Sequence, residues 1–283
     1  MNKISLKEMP LKATVKELCL QANTVLREDV REALAQACSR EDEGTVSRRM
    51  LEILIDNASI AESAKIPICQ DTGHVAVFLD IGSEIDLSGC DIAKMVNEGV
   101  EEAYAEYNFR KSVVKSPVHR ENTGTNTPCI IHTDIVSGNE IRVSVMPKGF
   151  GSENKSVIKM FNPTDDMEKI TGFCVETVKR TGADACPPYV LGIGMGGTME
   201  KSALLAKKAL LRPITRRSHA EYIAGAEEDI MEKCNALGIG VMGLGGKTTV
   251  MGVNIEEYPT HIAGLPVAIN VCCHALRSAS AVI

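Results

Sequence analysis

The hydrophobic periodicity of the sequence changes near residue 65, and this change restricts the architectures open to the chain. Residues 10–63 place apolar side chains at helical spacing, as in LKATVKELCLQA and SRRMLEILIDNASIAESA, and their single glycine is Gly44. Further on, β-rich runs such as HVAVFLDI and EIRVSVMP alternate with helical runs such as DIAKMVNEGVEEAYAEY. We therefore predict an α/β fold, in which a mixed β-sheet is layered with helices and preceded by a helical N-terminal region.

The organisation along the chain indicates one domain. The 283 residues fit one large domain or two modest ones, and they show neither an internal repeat nor a low-complexity linker. We predict a single domain over residues 1–283, with a helical entry region at 1–65 and an α/β body at 66–283. Within the body, Ser137-Gly138-Asn139 joins two strand-like runs and predicts a β-hairpin.

Charge and aromatic content argue against nucleic acid as a partner. The formal net charge is -6, aromatic residues make up 4% of the chain, and the only basic block is the short RPITRR. No window approaches the roughly 18 uninterrupted apolar residues of a membrane span, and MNKISLKEMP lacks the apolar segment of a secretion signal. We therefore expect a cytoplasmic protein that binds neither nucleic acid nor a membrane.

Two glycine-rich motifs suggest nucleotide binding. In GIGMGGTMEKS, Gly192, Gly194 and Gly197 satisfy G-x-G-x-x-G, but LLRPITRRS stands where an acidic residue is expected about 20 residues later. The motif keeps an NAD(P)-dependent oxidoreductase as an alternative, and it also fits a helix N-terminus that cradles a carboxylate. In GLGGKTT, Val241 stands where a P-loop requires glycine, so we exclude nucleoside triphosphate binding.

The ten cysteines divide by their sequence surroundings. Without an export signal or a C-x-x-C pair, they are expected to be reduced thiols or metal ligands assembled from distant segments. Small apolar roles are predicted for those in helical runs, for one in a strand-like run and for one near a helix start: Cys19, Cys38, Cys174, Cys234, Cys129 and Cys90. Three others, Cys69, Cys186 and Cys273, each lie at a turn.

Three separated thiolates suit an iron-sulfur cluster that leaves one iron free of protein ligation, because four cysteines would close every site. Other segments offer polar groups that a small dicarboxylate needs as hydrogen-bond donors, acids or bases: Gln70, Asp71, Arg110 and His261. Simpler structural roles exist for the same residues, since Asp71 can cap a turn and Arg110 can pair with a surface carboxylate.

Several motifs together are similar to those of one enzyme family. They are PICQDTG, NTGTN, KGFGSENKS, ADACPPYVLGIGMGGTMEKS, KALLRP and GLPVAINVCCHALR. From about residue 20 to the end, the chain resembles the iron-sulfur-dependent class I fumarases and their relative L(+)-tartrate dehydratase. Specifically, it looks like the α subunit of the two-subunit form.

The resemblance implies a cofactor and an active site. A 4Fe-4S cluster would be held by Cys69, Cys186 and Cys273, and Cys273 is preferred over Cys272 because a basic residue, Arg277, follows it at the family's spacing. The other implied roles are catalysis by His261 and Asp71, and substrate binding by Gln70, Arg110 and Gly151.

The resemblance also implies a reaction and partners. The chain would be the α subunit of a hydro-lyase of the tricarboxylic acid cycle that reversibly hydrates fumarate, a small dicarboxylate, to L-malate. L(+)-tartrate and methylfumarate (mesaconate) are alternative substrates. Because single-chain members carry a further C-terminal domain and this sequence stops at Ile283, a separate β subunit is expected to complete the site in an α2β2 heterotetramer. A non-catalytic iron-sulfur subunit is the remaining alternative.

Overall fold

A computed structural model describes residues 4–283, so the first three residues of the predicted entry region lie outside the described residues. Helices and mixed strands confirm the predicted α/β class. Three successive helices before the first long strand confirm the helical N-terminal region. Within residues 4–283, no helix combines the length and apolar character that crossing a membrane requires.

The helices and strands alternate along most of the chain. The helices are α1 (Leu11–Thr24), α2 (Glu28–Arg40), α3 (Val46–Ala64), α4 (Ile92–Glu106), α5 (Phe150–Glu153), α6 (Met167–Thr181), α7 (Met199–Ala209) and α8 (Glu221–Asn235). The strands are β1 (Ile4–Ser5), β2 (His74–Gly82), β3 (Ile85–Asp86), β4 (Ile130–Val136), β5 (Ile141–Lys148), β6 (Val157–Phe161), β7 (Tyr189–Gly196), β8 (Val250–Tyr258), β9 (Leu265–Cys272) and β10 (Ala279–Val282).

The chain divides into two compact units. The first unit comprises the described part of Met1–Arg27, together with Ala58–Phe150 and Arg277–Ile283. The second unit comprises Glu28–Asn57 and Gly151–Leu276. Each unit has its own four-stranded sheet and its own hydrophobic core.

The first unit is built around a sheet of order β10-β5-β2-β4. β2 runs parallel to β4 and antiparallel to β5, which pairs in turn with β10. β2 takes a central place because HVAVFLDIG offers apolar side chains at nearly every position, as a strand covered on both faces requires. Alternate β2 residues from Val75 to Ile81 share one core with α1 and α4, and that core includes the fully buried Tyr104.

The predicted β-hairpin through Ser137-Gly138-Asn139 is wrong, because β4 and β5 flank β2 instead of pairing with each other. Their connection passes the end of β2, where the Gly82 N–H donates to the Glu140 carbonyl (2.9 Å) and the Ser83 N–H donates to that of Val136 (2.7 Å). The apolar β2 loses more water-exposed surface between two strands than at a sheet edge. This burial outweighs the local turn signal.

The second unit carries a sheet of order β6-β9-β7-β8. β7 lies parallel to β8 and antiparallel to β9, which also pairs with β6. Helices α6 and α8 share a core with the face of β7 that presents Tyr189, Leu191 and Ile193. α7 packs against β7 as well, and every residue of this strand is buried.

The glycines of the GIGMGG motif serve the packing of α7. Gly192 and Gly194 lie inside β7, where an added Cβ would stand 2.1 Å from the Ala206 carbonyl oxygen and 2.0 Å from that of Ser202. A dinucleotide fingerprint instead uses its glycines in the turn between strand and helix. The close contact between helix and strand therefore accounts for these glycines, and the nicotinamide alternative loses its structural basis.

Candidate active site

Burial separates the cysteines into two groups. The buried thiols are Cys19, Cys129, Cys174, Cys234 and Cys272, and the half-buried ones are Cys38, Cys69, Cys90, Cys186 and Cys273. Burial raises the pKa of Cys129 to about 11 and that of Cys234 to about 12. Since iron binds the thiolate and not the thiol, these two side chains act as small apolar groups. Cys38, predicted to be apolar, is half-buried.

Cys69 opens a tight turn in the first unit that carries three of the predicted site residues. Its Sγ donates to Oε1 of the exposed Gln70 (3.2 Å). The Asp71 carboxylate accepts the Gly73 N–H at Oδ1 (3.0 Å) and the Phe150 N–H at Oδ2 (2.8 Å). Glycine is needed at position 73 because its φ is +78° and a Cβ there would lie 2.7 Å from the backbone of β5.

A buried hydrogen-bond network anchors this turn to the segment that carries Arg110. Thr72 Oγ1 donates to the Arg110 carbonyl oxygen (2.7 Å), and the hydroxyl of Tyr104 donates to the Thr72 carbonyl. Fully buried Asn126 donates from Nδ2 to the Gly73 carbonyl (3.1 Å) and accepts the N–H two residues after Arg110 (2.7 Å). The structure therefore places the backbone of Arg110, whose side chain is exposed, beside the Cys69 turn.

Arg277 supports the same turn from inside the first unit. Its side chain is 3% exposed, and Nη2 donates to the Asp71 carbonyl oxygen (2.8 Å) while Nη1 donates to Oδ1 of buried Asn23 (3.3 Å). The Asn23 carbonyl also accepts the Ile68 N–H (2.9 Å), directly before Cys69. A buried guanidinium is tolerated only where hydrogen bonds offset its lost hydration. For Arg277, these bonds go to the Cys69 turn and to Asn23, which also supports it.

Sequence reasoning does not single out the residues that hold the Cys69 turn. Arg277 serves there only as a spacing marker after Cys273, and Tyr104 only as part of a helical run. Asn126 ends the polar run NTGTN, which is the one sequence signal for its role.

Two of the predicted cysteine ligands lie at turns that hydrogen bonds join within the second unit. Cys186 has a φ of +55°, and its carbonyl oxygen accepts the His274 N–H (3.3 Å) and pairs with Nδ1 of that residue (3.2 Å). Because His274 directly follows Cys273, these bonds bring the Cys186 and Cys273 turns together. Buried Tyr189 lies near both: burial first, and then Cys186, Asp184 and Cys273, raise its pKa.

His261 lies on an exposed turn before β9. Its Nδ1 accepts the Ala263 N–H (3.1 Å), and therefore Nε2 carries the proton of the neutral ring. A backbone N–H, and not a carboxylate, thus sets the tautomer. Thr260 Oγ1 ties the turn to the Gly197 carbonyl (2.9 Å), in the loop after β7.

Within the second unit, His261 lies far from Cys186 and Cys273. Val190 pairs with Cys272 at the end of β9, and Met195 pairs with Val267 near the start of that strand. Cys186 and Cys273 lie near the end of β9, whereas His261 precedes the start of β9. The eight residues of β9 cover about 25 Å.

Gly151, a predicted substrate contact, lies in α5 in the second unit and is exposed. An added Cβ there would meet no atom within 4 Å, so its backbone faces open space.

The donor chemistry of the half-buried cysteines suits iron. Cys69, Cys186 and Cys273 are all half-buried thiols at turns, and thiolates are the usual ligands of iron-sulfur clusters. Within residues 4–283, no three or more His, Cys, Asp or Glu side chains converge closely enough to hold a metal ion. The three-cysteine ligand set stays a prediction.

Comparison with known proteins supports the resemblance drawn from the motifs. Residues 12–282 match the family described as fumarate hydratase (Fumerase). The "Putative L(+)-tartrate dehydratase subunit alpha" of Methanocaldococcus jannaschii is 44% identical over 277 residues, which cover 96% of each chain. The "L(+)-tartrate dehydratase subunit alpha" of Escherichia coli (strain K12) is 31% identical over 258 residues, or 90% of this chain and 84% of that protein.

Proposed function

The chain belongs to the fumarate hydratase family, and we propose that it is the α subunit of an iron-sulfur hydro-lyase that reversibly hydrates fumarate to L-malate. Hydro-lyase chemistry and the α-subunit type follow from the family and from the subunit names of its relatives. The preferred diacid, the iron ligation and the site residues are the finer parts of the proposal. The observation that carries them is the Cys69 turn, whose exposed polar groups stand on a buried hydrogen-bond network.

The cluster ligands of the proposal are Cys69, Cys186 and Cys273. Their partial exposure supports this choice, because buried thiols keep their protons. Exposure also favours Cys273 over Cys272, which is 4% exposed within β9. When bound, a cluster with one open iron position supplies a Lewis acid that polarises the substrate's hydroxyl and carboxylate oxygens.

Substrate binding is assigned to groups that reach solvent from fixed backbone. Arg110 offers a guanidinium that matches a carboxylate with two parallel hydrogen bonds, and Gln70 offers a neutral donor beside Cys69. The open backbone of Gly151 offers an N–H that a side chain does not shield. Such preorganised donors stabilise the charge that builds up on the carboxylate when the neighbouring carbon loses a proton, at about 3 kcal/mol each.

Proton transfer is assigned to Asp71 and His261. Backbone N–H groups hold both Asp71 oxygens in place, and each oxygen keeps a further lone pair for a substrate proton. His261 offers Nε2–H as a proton donor, since Nδ1 is engaged with Ala263. A β subunit completes the α2β2 site with the remaining acid or base and further carboxylate-binding groups.

L(+)-tartrate is the second candidate substrate, because the relatives from Methanocaldococcus jannaschii and Escherichia coli carry the name of that dehydratase. Fumarate, malate and tartrate are all four-carbon dicarboxylates, and malate and tartrate lose a hydroxyl next to a carboxylate. The same binding and proton-transfer groups therefore serve either reaction. Discrimination between them depends on the groups that face the second tartrate hydroxyl.

The proposal is tested with the α and β subunits purified together without oxygen and reconstituted with iron and sulfide. Fumarate, L(+)-tartrate and mesaconate are supplied separately, and the α chain alone serves as the control. We expect malate to form from fumarate only in the complex. Faster turnover of tartrate would select the second candidate, and a cluster-loaded complex that turns over none of the diacids would contradict the proposal.

A further inference from the structure

We propose that His274 is a positioning residue of the iron-sulfur site, because its imidazole holds the turn of one cysteine ligand, Cys186, against the turn of another, Cys273. This inference rests on the proposed function, since it takes both cysteines as ligands of the cluster. It gives a role to a histidine of NVCCHALR that the motif alone leaves unassigned.

The first observation is a double attachment to the Cys186 carbonyl. Its oxygen accepts the main-chain N–H of His274 (3.3 Å) and lies 3.2 Å from Nδ1 of the same residue. Because a carbonyl oxygen only accepts hydrogen bonds, Nδ1 carries a proton and is the donor. Since His274 directly follows Cys273, both bonds fix the main chain of that second ligand to Cys186.

The second observation is the backbone conformation of Cys186. Its φ of +55° lies in the left-handed region, which is unfavourable for a residue with a Cβ. Such a conformation persists where the surrounding structure holds it, and it is concentrated at functional sites. The Cys186 N–H donates to the Ala183 carbonyl (3.1 Å), and the Cys186 carbonyl is held by His274. His274 therefore helps to fix the backbone from which the Cys186 thiol projects.

The third observation is that the loop with the GLGG motif holds the same turn one residue further on. The Met242 N–H donates to the Pro187 carbonyl (2.8 Å). Gly243 has a φ of +76°, and an added Cβ would stand 2.3 Å from that of Ala183, so this loop and the turn are in close contact. The Cys186 turn is thus fixed on the side of the loop, and His274 links it to the Cys273 turn.

The partial exposure of these turns explains why a side chain is needed to link them. His274, Cys186 and Cys273 are all half-buried, so water competes for the bonds between the turns. The main-chain bond alone is long for an N–H···O bond, and the imidazole adds a second donor to the same oxygen. Turns that are already held in place lose less conformational freedom when a cluster binds. Side chains that hold metal ligands typically change metal affinity by about 10- to 100-fold when they are replaced.

Two amide substitutions separate the hydrogen bond from the polarity of the side chain. The amide nitrogen of asparagine takes the place of Nδ1, whereas that of glutamine takes the place of Nε2, so only His274→Asn keeps the donor to the Cys186 carbonyl. Both variants are purified as the αβ complex without oxygen, reconstituted with iron and sulfide, and mixed with an iron chelator while the visible absorbance is followed. We expect cluster loss within about twofold of the wild-type rate in His274→Asn, and at least about tenfold faster loss in His274→Gln.

Further measurements separate positioning from folding. His274→Leu removes the donor without adding a polar group and should lose the cluster as fast as His274→Gln, so the test stays decisive if one of the two variants does not fold. The visible circular dichroism of the cluster, which reports the arrangement of its ligands, should match the wild type in His274→Asn only. Urea unfolding of the cluster-free complex should give the same midpoint for His274→Asn and His274→Gln. His219→Gln, at an exposed histidine of the same unit, is the matched control and should change none of these quantities.

The outcomes distinguish this inference from the proposed function. A wild-type complex that binds no cluster overturns the ligand set of the proposed function, and this inference with it. A wild-type cluster that His274→Gln and His274→Leu retain equally well overturns only the role of His274. Equally fast cluster loss in His274→Asn and His274→Gln also overturns it, because the bond from the Nδ1 position would then make no difference.

Discussion

The Cys69 turn of the first unit and the His261 turn of the second unit present their polar groups on different kinds of support. Buried side chains hold the Cys69 turn: Thr72, Tyr104, Asn126 and Arg277 each donate a hydrogen bond to its backbone or to the neighbouring segment. The His261 turn depends on an exposed threonine hydroxyl and on backbone N–H groups within the turn itself.

The two turns obtain their rigidity from different sources. The Cys69 turn is ordered by the fold of its own unit, since its anchors are buried side chains and hydrogen bonds are costly to leave unmade where water is excluded. The His261 turn has few buried contacts, and water competes for its hydrogen bonds. Its order therefore rests on the hydrogen bonds within the turn and on the Thr260 tether to Gly197.

Removing the buried arginine should cause the largest loss of stability. Arg277→Ala leaves the Asp71 carbonyl and Asn23 Oδ1 without their donor, and we expect the free energy of unfolding to fall by about 3 kcal/mol. Urea unfolding of the cluster-free chain measures the change. Arg120→Ala, at an exposed arginine of the same unit, is the control and should lie within about 0.5 kcal/mol of the wild type.

Arg110 should behave in the opposite way to Arg277. Its side chain is exposed, so Arg110→Ala should leave the free energy of unfolding nearly unchanged while kcat/KM falls about 10- to 100-fold through loss of the carboxylate contact. Steady-state kinetics of the αβ complex provide the measurement. Arg110→Lys should recover part of the loss. An unaltered kcat/KM in Arg110→Ala would remove this residue from the substrate site.

The buried thiols predict an alkaline loss of stability in both units. Burial raises the folded pKa of Cys129 from 9.0 to about 11 and that of Cys234 from 9.0 to about 12. The folded chain keeps protons that the unfolded chain releases, so this stabilisation is complete below pH 9 and is lost as the pH rises through those values. Each thiol contributes a slope of about 1.4 kcal/mol per pH unit. Cys129→Ala or Cys234→Ala should flatten the slope measured by urea unfolding at pH 9–10.5, and an unchanged slope would contradict the account.

The smallest expected effects come from one isosteric substitution made in both turns. Thr72→Val removes a buried donor and leaves the Arg110 carbonyl unpaired, so the free energy of unfolding should fall by about 1–2 kcal/mol. Thr260→Val removes an exposed tether and should cost less than about 0.5 kcal/mol, while kcat falls because the histidine is held less firmly. Equal stability losses for the two variants would mean that the two turns do not differ in support.

The sequence predicts the elements of this fold better than their arrangement. Periodicity identifies β2, β4, β5 and helices such as α1, α3 and α4, because it records which face of each element is buried. It does not record which strand lies between two others, and for that reason the predicted pairing of β4 with β5 through the turn at residues 137–139 is wrong.

The residues of the candidate site differ in the same way in how well the sequence predicts them. Residues that a ligand would touch, such as Cys69, Gln70 and Arg110, stand in motifs with turn and charge signals. Asn126 and Arg277 act through backbone contacts made only in the folded chain, and nothing local marks such contacts. The separation of His261 from Cys273 follows from the straight path of β9, which spacing in the sequence does not reveal.

Iron and sulfide analysis with a visible spectrum, carried out without oxygen on the reconstituted αβ complex, tests whether Cys69, Cys186 and Cys273 hold an iron-sulfur cluster. Wild type is compared with Cys69→Ser, Cys186→Ser and Cys273→Ser, and Cys90→Ser is the control because it changes another half-buried cysteine. We expect a cluster in wild type and Cys90→Ser, and loss of the cluster and of diacid turnover in each of the other three variants. A wild-type complex that binds no iron, or ligand variants with unchanged spectra, would contradict this expectation.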